Sequence, residues 1–303
     1  VAAMGLTKDF NGVRAVDGVG FRVEAGEIFG LFGPNGAGKS TTLRMLTATI
    51  EPSAGTATVC GQDVKLARDA VRDRVSILPE HVAAYSDMRP LSYLRFSAGM
   101  SGLDWTTVAS KAEDLLRELE LPAFDKRIGT LSMGQRQRLE IARVLLEDRE
   151  LLILDEPFNA VDLDMRRRLM ERFRERVRTG ASILYTSHHL LEAEKFVDRF
   201  GFLRAGRLAA IGTSADLKSR YLDARYRIRV GDPERARKLL SGLSMIPDVS
   251  VDDGYLCVTV RSREDIADVV RLLVENRHAV TEVTPSGSLE DLFDRLKEDA
   301  RAQ

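Results

Sequence analysis

Apolar residues recur with different periods along the chain, and each period predicts a different kind of element. Residues 1–23 alternate apolar and polar positions around Asn11-Gly12, which predicts two antiparallel strands joined by a hairpin. Four short, mostly apolar runs predict strands of a parallel sheet that is buried on both faces. They cover residues 27–32, 75–78, 151–154 and 182–185. Together these patterns predict an α/β core with an antiparallel β subdomain.

Helical periodicity takes over between residue 81 and about residue 140, and it predicts a helical subdomain inserted into the α/β core. One apolar stripe at helical spacing consists of Val108, Ala112, Leu115, Leu116 and Leu119. A group of large apolar side chains precedes this stripe, and it either packs inside the subdomain or forms a docking surface. The group consists of Tyr85, Met88, Tyr93 and Phe96.

The last part of the chain predicts a separate, smaller domain. Its elements follow the order β-α-β-β-α-β, with Asp253-Gly254 marking a hairpin between the two middle strands. This order is that of a ferredoxin-like α+β sandwich. We therefore expect two domains, residues 1–219 and 220–303. The smaller one has no phosphate loop, metal-ligand spacing or paired carboxylates, so we expect it to be an accessory or regulatory domain.

Composition narrows the functional classes. Hydrophobic residues make up 44% of the 303 residues and charged residues 30%, which is typical of a soluble globular protein. The formal net charge is −1, so no strong field for nucleic acid is expected. Two distant cysteines, Cys60 and Cys257, indicate neither a disulfide framework nor a metal cluster. No apolar run approaches the length of a membrane span and no secretory signal is evident, so a membrane role requires a separate partner.

The strongest chemical signal is GPNGAGKS at residues 33–40. It fits the phosphate-binding pattern G-x-x-x-x-G-K-[ST] between a predicted strand and a predicted helix. Its glycines, Gly33, Gly36 and Gly38, permit tight turns, so that backbone N–H groups form a nest for phosphate at a helix N terminus. In this pattern Lys39 reaches the β- and γ-phosphates and Ser40 holds Mg²⁺. The expected nucleotide contacts in the loop also include Asn35, Ala37 and Thr41.

Two adjacent carboxylates, Asp155 and Glu156, follow the apolar run at residues 151–154. At the carboxyl end of a strand Asp155 can hold Mg²⁺ through water, and Glu156 can orient or deprotonate an attacking water. His188 follows the run at residues 182–185 and can hydrogen-bond the γ-phosphate. A solvent-facing carboxylate pair is the alternative, and the phosphate loop in the same chain disfavours it.

The motifs stand in the order found in the ATP-binding subunit of an ABC transporter, which residues 4–212 strongly resemble. LSMGQ at residues 131–135 resembles the family signature, with Met133 where glycine is usual. LLILDE at residues 151–156 resembles the Walker B strand, and Ala160-Val161-Asp162 resembles the D-loop. The resemblance makes His188 the switch histidine. The fold that this resemblance implies is a P-loop NTPase fold of ABC type.

Three further positions gain a meaning from the resemblance. Phe10 stands where the family places an aromatic ring against adenine, although a core phenylalanine is the alternative. Glu80 occupies a position that is usually glutamine, and its oxygen would join Ser40 and Asp155 around Mg²⁺. Phe158 replaces a small polar residue that usually follows Asp-Glu-Pro, and the sequence offers no reason for it.

The resemblance also implies an assembly. In this family two subunits pack head to tail, and the signature of one closes over the nucleotide of the other. The signature residues expected to serve the partner's nucleotide are Ser132, Gly134 and Gln135, and Asp162 of the D-loop is a further expected nucleotide contact. The implied cofactors are ATP and Mg²⁺. The implied partners are a second identical or closely related ATPase subunit and a separate permease chain, which would hold the protein at the cytoplasmic face of the membrane. Residues 285–293 resemble the ending of the drug-, ion- and polymer-exporting group.

The expected function is therefore ATP hydrolysis that powers a membrane exporter. The alternative is an ABC ATPase that acts without a permease. Ribosome-associated members resemble tandem pairs of cassettes, whereas this sequence has one phosphate loop and one signature. Members that maintain DNA require a long coiled-coil insertion, and no heptad run of that length is present.

Overall fold

The computed structural model describes residues 1–80, 85–121, 126–187, 189–222 and 224–298. The chain forms two compact units, Val1–Ile211 and Gly212–Gln303. The expected boundary after residue 219 falls within the helix Ser214–Tyr221, which the sequence did not predict.

The strands up to the boundary between the units are β1 (Ala2–Phe10), β2 (Val13–Arg22), β3 (Ile28–Phe32), β4 (Ala54–Val59), β5 (Gln62–Asp63), β6 (Val75–Leu78), β7 (Leu151–Asp155), β8 (Ser182–Thr186), β9 (Arg199–Arg204) and β10 (Arg207–Gly212). The helices are α1 (Lys39–Leu46), α2 (Arg68–Arg72), α3 (Pro90–Met100), α4 (Trp105–Glu118), α5 (Met133–Glu147), α6 (Leu163–Arg178) and α7 (Leu190–Ala193), with a 3₁₀ turn at Ile128–Thr130. No helix in the described part of the chain combines the length and apolarity that a membrane span requires.

The antiparallel β subdomain is a four-stranded sheet in the order β2-β1-β4-β5. The hairpin between β1 and β2 is confirmed, with φ angles of 47° at Asn11 and 86° at Gly12. Positive φ at both turn residues matches the right-handed twist of the flanking strands. One face of the sheet is buried through Leu6, Val16 and Val19, which is why these strands alternate apolar and polar residues.

The central sheet has the order β10-β9-β3-β8-β7-β6. Strand β3 runs parallel to β8 and β9, and β7 runs parallel to β6 and β8. All four predicted apolar runs are strands of this sheet. Because parallel strands end at the same edge, the residues that follow β3, β6, β7 and β8 meet there. This edge carries the phosphate loop, Glu80, Glu156 and Ser187.

The expected helical segment is present as α3, α4 and the start of α5. The stripe on α4 is buried except for the half-buried Val108. The group of large apolar side chains divides: Tyr93 is buried, Met88 is half-buried, and Tyr85 and Phe96 are exposed with their rings 5.2 Å apart. Neither of the two alternatives therefore holds for the whole group.

The second unit contains α8 (Ser214–Tyr221), β11 (Ala224–Val230), α9 (Pro233–Leu240), β12 (Asp248–Asp252), β13 (Tyr255–Val260), α10 (Asp265–Glu275), β14 (Val280–Ser286) and α11 (Leu289–Glu298). Its sheet has the order β12-β13-β11-β14, and every pair is antiparallel. This is the ferredoxin-like arrangement that the sequence predicted. Tyr226, Ile228 and Val230 of β11 point into its core, as the alternation along the strand requires.

Candidate nucleotide-binding site

An open cleft of about 720 Å³ lies at the carboxyl edge of the central sheet. Its walls come from the end of β1, the start of β2, the phosphate loop with the first turn of α1, and the ends of β6 and β7. The lining residues are Phe10, Ala15, Asn35, Gly36, Ala37, Gly38, Lys39, Ser40, Thr41, Glu80, Asp155 and Glu156. The structure thus gathers the predicted residues of four separate segments, and it adds Ala15, which no sequence motif indicates.

Neighbouring backbone decides the shape of the phosphate loop. Gly38 has φ of 102°, and a Cβ on it would lie 2.7 Å from the carbonyl oxygen of Ala15. The N–H of Gly206 donates to the carbonyl oxygen of Ala37 over 3.1 Å, so the turn between β9 and β10 supports the loop from below. A side chain at position 38 would therefore displace either the loop or β2.

Helix α1 begins at Lys39, directly after Gly38. Gly38 is its N-cap residue, and no side chain caps the first turn. The N–H groups of the first turn lack intrahelical acceptors, and the helix dipole adds positive potential. The loop and helix together fit an anionic phosphate.

Lys39 provides the positive charge within the cleft. Its Nζ donates to the carbonyl oxygens of Gly33 at 2.6 Å and Pro34 at 3.2 Å. Burial lowers the pKa of Lys39, while the carboxylates of Glu156, Asp155 and Glu80 favour its charged form. The ammonium group is partly desolvated there, so a phosphate group in this cleft would gain a strong charge partner.

The oxygen donors opposite Lys39 are suited to Mg²⁺. Ser40, Glu80 and Asp155 line the cleft and also a smaller adjoining cavity of about 330 Å³. Burial raises the pKa of Asp155, and a hydrogen bond from the Thr186 hydroxyl opposes this rise. The described residues contain no cage of three carboxylate, imidazole or thiolate groups. Two carboxylates and a hydroxyl nevertheless fit Mg²⁺, which usually takes few protein ligands and completes its shell with water and substrate phosphate.

Glu156 is buried, with 8% of its surface exposed, and its φ is 50°. The hydroxyl of Ser187 donates to its Oε2 at 3.1 Å, and its backbone N–H donates to the carbonyl oxygen of Thr186 at 3.1 Å. Gln137 of α5 donates from Nε2 to the carbonyl oxygens of Glu156 at 3.4 Å and Pro157 at 3.0 Å. The end of β8 and the helix α5 therefore hold the backbone and the carboxylate in place.

Sequence reasoning missed both Gln137 and Ser187. Gln137 stands two positions after LSMGQ, and Ser187 immediately precedes His188. The position of Ser187 after a predicted strand was a usable signal, since that strand end was already assigned to the site. His188 itself lies outside the described residues, so its expected role stays a prediction.

The signature and D-loop residues do not line the cleft of their own chain. Ser132 is the N-cap of α5 and forms a reciprocal capping box with Gln135, with N···O distances of 3.0 and 3.2 Å. Asp162 is the N-cap of α6, and the hydrogen bond from the backbone N–H of Met165 lowers its pKa. A Cβ on Gly134 would lie 2.3 Å from the carbonyl oxygen of Ala160. The start of α5 thus packs directly against the D-loop.

The two phenylalanines singled out by the sequence lie in opposite environments. Phe10 is 44% exposed at the end of β1 and lines the cleft, so it is not a core residue. Phe158 is only 5% exposed, and its ring centroid lies 5.7 Å from that of Phe196 and 6.1 Å from that of Tyr185. Phe158 therefore belongs to an aromatic cluster beneath the end of β7, which explains a large apolar residue there.

Known proteins are similar to this chain in sequence and in fold. Residues 16–159 match the family model described as ABC transporter. The chain is 36% identical over 245 residues to the daunorubicin/doxorubicin resistance ATP-binding protein DrrA of Streptomyces peucetius, covering 80% of this chain and 74% of that protein. It is 32% identical over 276 residues to the linearmycin resistance ATP-binding protein LnrL of Bacillus subtilis, covering 90% and 89%. A solved structure of an ATP-binding subunit of an ABC transporter superposes with a TM-score of 0.68 and 31% identity, covering 72% of this chain and 91% of that chain.

The two curated relatives share about a third of their residues with this chain over most of their own length and most of its length. The chain also has a cleft whose lining residues suit a nucleoside triphosphate. The chain therefore belongs to the ABC transporter family, as an ATP-binding ATPase cassette followed by a ferredoxin-like domain.

Proposed function

We propose that this protein is the ATP-hydrolysing subunit of a membrane exporter, and that two cassettes pack head to tail around ATP and Mg²⁺. The observation that carries the proposal is the division of the expected site residues. The phosphate loop, Glu80, Asp155 and Glu156 line one cleft, whereas the signature and D-loop residues lie outside it. A second cassette placed head to tail would bring its signature over this open cleft and complete the site.

Substrate binding is assigned to the loop and to Phe10. The exposed ring of Phe10 stacks on adenine, with a contribution of roughly 1–3 kcal/mol by analogy with base stacking on aromatic side chains. The phosphate loop and the first turn of α1 donate N–H groups to the phosphates, and Lys39 exchanges its loop carbonyl partners for phosphate oxygens. In the partner cassette, Ser132 at the start of α5 faces the γ-phosphate, where N–H groups and the helix dipole favour an anion.

Ser40, Glu80 and Asp155 would hold Mg²⁺, which would supply positive charge to neutralise the phosphates of the nucleotide. Glu156 accepts a proton from the attacking water at its carboxylate, while Lys39 stabilises charge on the transferred phosphoryl group. Ser187 and Gln137 orient Glu156 through the hydrogen bonds described above. His188 completes the site as the switch residue that the family resemblance implies.

Export is supported by the relatives, two of which are named for resistance to daunorubicin/doxorubicin and to linearmycin. The proposed partner is a separate permease chain that holds the protein at the cytoplasmic face of the membrane. The exposed Tyr85 and Phe96, near the start of the helical segment, are the proposed docking surface. Among the described residues of the unit Gly212–Gln303, none lines the cleft, and we assign this unit an accessory or regulatory role.

The test is Glu156→Gln in the full chain. Without its proton acceptor the variant is expected to bind ATP, to hydrolyse it at a small fraction of the wild-type rate, and to elute as a dimer in ATP and Mg²⁺. Glu150→Gln is the matched control, because Glu150 pairs with Arg74 at the surface and should leave both properties unchanged. A Glu156→Gln protein that remains monomeric and hydrolyses ATP normally would contradict the proposal.

The permease part of the proposal has its own test. A double variant, Tyr85→Glu with Phe96→Glu, should no longer sediment with the membranes of lysed native cells. The same variant, when purified, should keep its ATPase activity. If the wild-type protein is itself absent from the membrane fraction, the result would instead support an ABC ATPase that acts without a permease.

A further inference from the structure

A buried charged network surrounds Arg143 of α5. Its Nε donates to Oε2 of Glu140 at 2.8 Å, and its Nη1 donates to Oε1 of Glu147 at 2.9 Å. Its Nη2 donates to the backbone carbonyl oxygen of Ile77 in β6. The two glutamates are only 4% and 7% exposed, and the arginine side chain is 14% exposed. None of these residues lines the cleft or takes part in the proposed reaction.

Two further elements contribute hydroxyl donors to the network. Tyr93 of α3 donates to Oε1 of Glu140 at 2.5 Å, and Ser76 of β6 donates to Oε2 of Glu147. Ser97 of α3 and the following Ser101 donate to Oε1 of Glu147 at 3.4 and 3.2 Å. The network therefore joins the edge strand β6, the helix α3 and the helix α5 through buried polar groups.

Burial and neighbouring carboxylates decide the charge states of Arg143 and Tyr93 in this network. Burial opposes the positive charge of Arg143, but the carboxylates of Glu147 and Glu140 outweigh it and raise the pKa of the guanidinium. Burial and the Glu140 carboxylate also raise the pKa of Tyr93, so its hydroxyl remains a donor. A planar guanidinium with three acceptors in different directions has little freedom to rotate. Arg143 is therefore held rigidly between α5 and β6.

The location of Ile77 gives this arrangement a consequence for the ATP site. Strand β6 is at the edge of the central sheet, so no strand in the described part of the chain pairs with its outward carbonyl groups. Arg143 supplies the missing donor at Ile77, and the chain reaches Glu80 directly after Leu78 and Pro79. At its other end, α5 begins beside the signature residue Ser132. One side chain thus ties the strand that precedes Glu80 to the helix that carries the signature.

We propose that Arg143 is a positioning residue for the metal side of the ATP site, because it fixes the end of β6 and thereby the carboxylate of Glu80. The inference rests on the proposed role of Glu80 as a Mg²⁺ ligand. A residue that only stabilises the fold would change the amount of active protein. A positioning residue changes the Mg²⁺ concentration that the active protein requires.

The experiment is a Mg²⁺ titration with full-length Arg143→Lys, read both as ATPase activity and as the Mg²⁺ dependence of ATP binding in calorimetry. Lysine keeps the charge but cannot reach three divergent acceptors, so the half-saturating Mg²⁺ concentration should rise by roughly threefold to tenfold, which is up to about 1.4 kcal/mol. Arg138→Lys is the matched control on the same helix. Arg138 donates to the carbonyl oxygen of Leu119 and not to β6, so its replacement should leave the Mg²⁺ requirement unchanged.

A double-mutant cycle with Glu80→Ala separates the inference from the proposed function. Without a carboxylate to position, Arg143→Lys should cause no further rise. If Glu80→Ala does not itself change the Mg²⁺ requirement, the metal role of Glu80 is wrong and the inference falls with it. If Glu80→Ala raises the requirement but Arg143→Lys does not, or if the two effects add fully, only the inference is overturned.

Because the loss of a partner from a buried ion pair is strongly destabilising, the milder variant Ser76→Ala takes the place of Arg143→Lys if the latter does not fold. Ser76→Ala removes the hydroxyl through which β6 contacts Glu147 and leaves every charge in place. It should raise the Mg²⁺ requirement in the same direction by a smaller factor, and this effect should also vanish with Glu80→Ala. A folded Ser76→Ala protein with an unchanged requirement in that case overturns the inference.

Discussion

The hydroxyl of Ser187 donates a hydrogen bond to Oε2 of Glu156 at 3.1 Å, although the two residues belong to different strand ends. Glu156 is the proposed proton acceptor, and an acceptor must face the water that it deprotonates. A side chain buried beside β8 has few rotamers available, and the serine hydroxyl selects among them. Ser187 is therefore expected to affect the chemical step more than the binding of ATP.

We expect Ser187→Ala to lower kcat by about tenfold, or roughly 1.4 kcal/mol in barrier height, with little change in KM. The magnitude is at the lower end of what a hydrogen bond to a charged group contributes. Steady-state ATPase kinetics of the full chain measure both parameters. Ser182→Ala is the control at the opposite end of the same strand, where the hydroxyl donates to the carbonyl oxygen of Glu24. Equal losses in both variants would show that Ser187 acts only through stability.

Substitution of Glu80, the proposed Mg²⁺ ligand, and of Glu156, the proposed proton acceptor, should change the Mg²⁺ dependence of ATPase activity in different ways. Glu80→Gln keeps one oxygen at nearly the same reach, so we expect kcat within roughly tenfold of wild type and a higher Mg²⁺ requirement. Glu156→Gln removes the proton acceptor and should cost far more at every Mg²⁺ concentration. A Mg²⁺ titration of both variants measures this. If Glu80→Gln abolishes turnover at saturating Mg²⁺ while Glu156→Gln does not, the roles are reversed.

The two phenylalanines should respond oppositely to truncation. Phe158→Ala leaves a cavity in the aromatic cluster with Tyr185 and Phe196, and we expect a loss of about 3–5 kcal/mol in the free energy of unfolding. Phe10→Ala removes an exposed ring and should scarcely change stability while weakening ATP binding. Urea unfolding and ATP titration of both variants test the contrast. A Phe158→Ala protein as stable as wild type would show that the cluster repacks without cost.

Gly134 and Gly99 both lie within helices, yet alanine should have opposite effects on them. A Cβ at position 134 would lie 2.3 Å from the carbonyl oxygen of Ala160, whereas a Cβ at position 99 meets nothing within 4 Å. We expect Gly134→Ala to destabilise the protein by displacing α5 from the D-loop. Gly99→Ala should stabilise it by about 0.4–1 kcal/mol, because glycine costs more backbone entropy in a helix. Thermal unfolding of the two variants gives the comparison, and a stabilising Gly134→Ala would contradict the close approach.

Local sequence patterns were sufficient wherever neighbouring residues decide the structure. The hairpin at Asn11-Gly12 follows from turn residues that accept positive φ, and the four apolar runs follow from strands buried on both faces. The phosphate loop is likewise a continuous segment whose glycines and lysine act together. Parallel strands share one carboxyl edge, so even the meeting of Glu80, Asp155 and the loop could be predicted without coordinates.

Only the tertiary structure decided which distant residues complete that edge. Ser187 reaches Glu156 because β8 lies beside β7 in the sheet, and the carbonyl oxygen of Ala15 meets Gly38 because β2 passes under the loop. The burial of Tyr93 beside the exposed Tyr85 likewise depends on Glu140 of another helix. Periodicity records which face of an element is apolar, but it does not record which element covers that face. The sequence by itself thus determined the cassette fold and its phosphate loop, and the packing of distant elements determined which residues surround that loop and the neighbouring carboxylates.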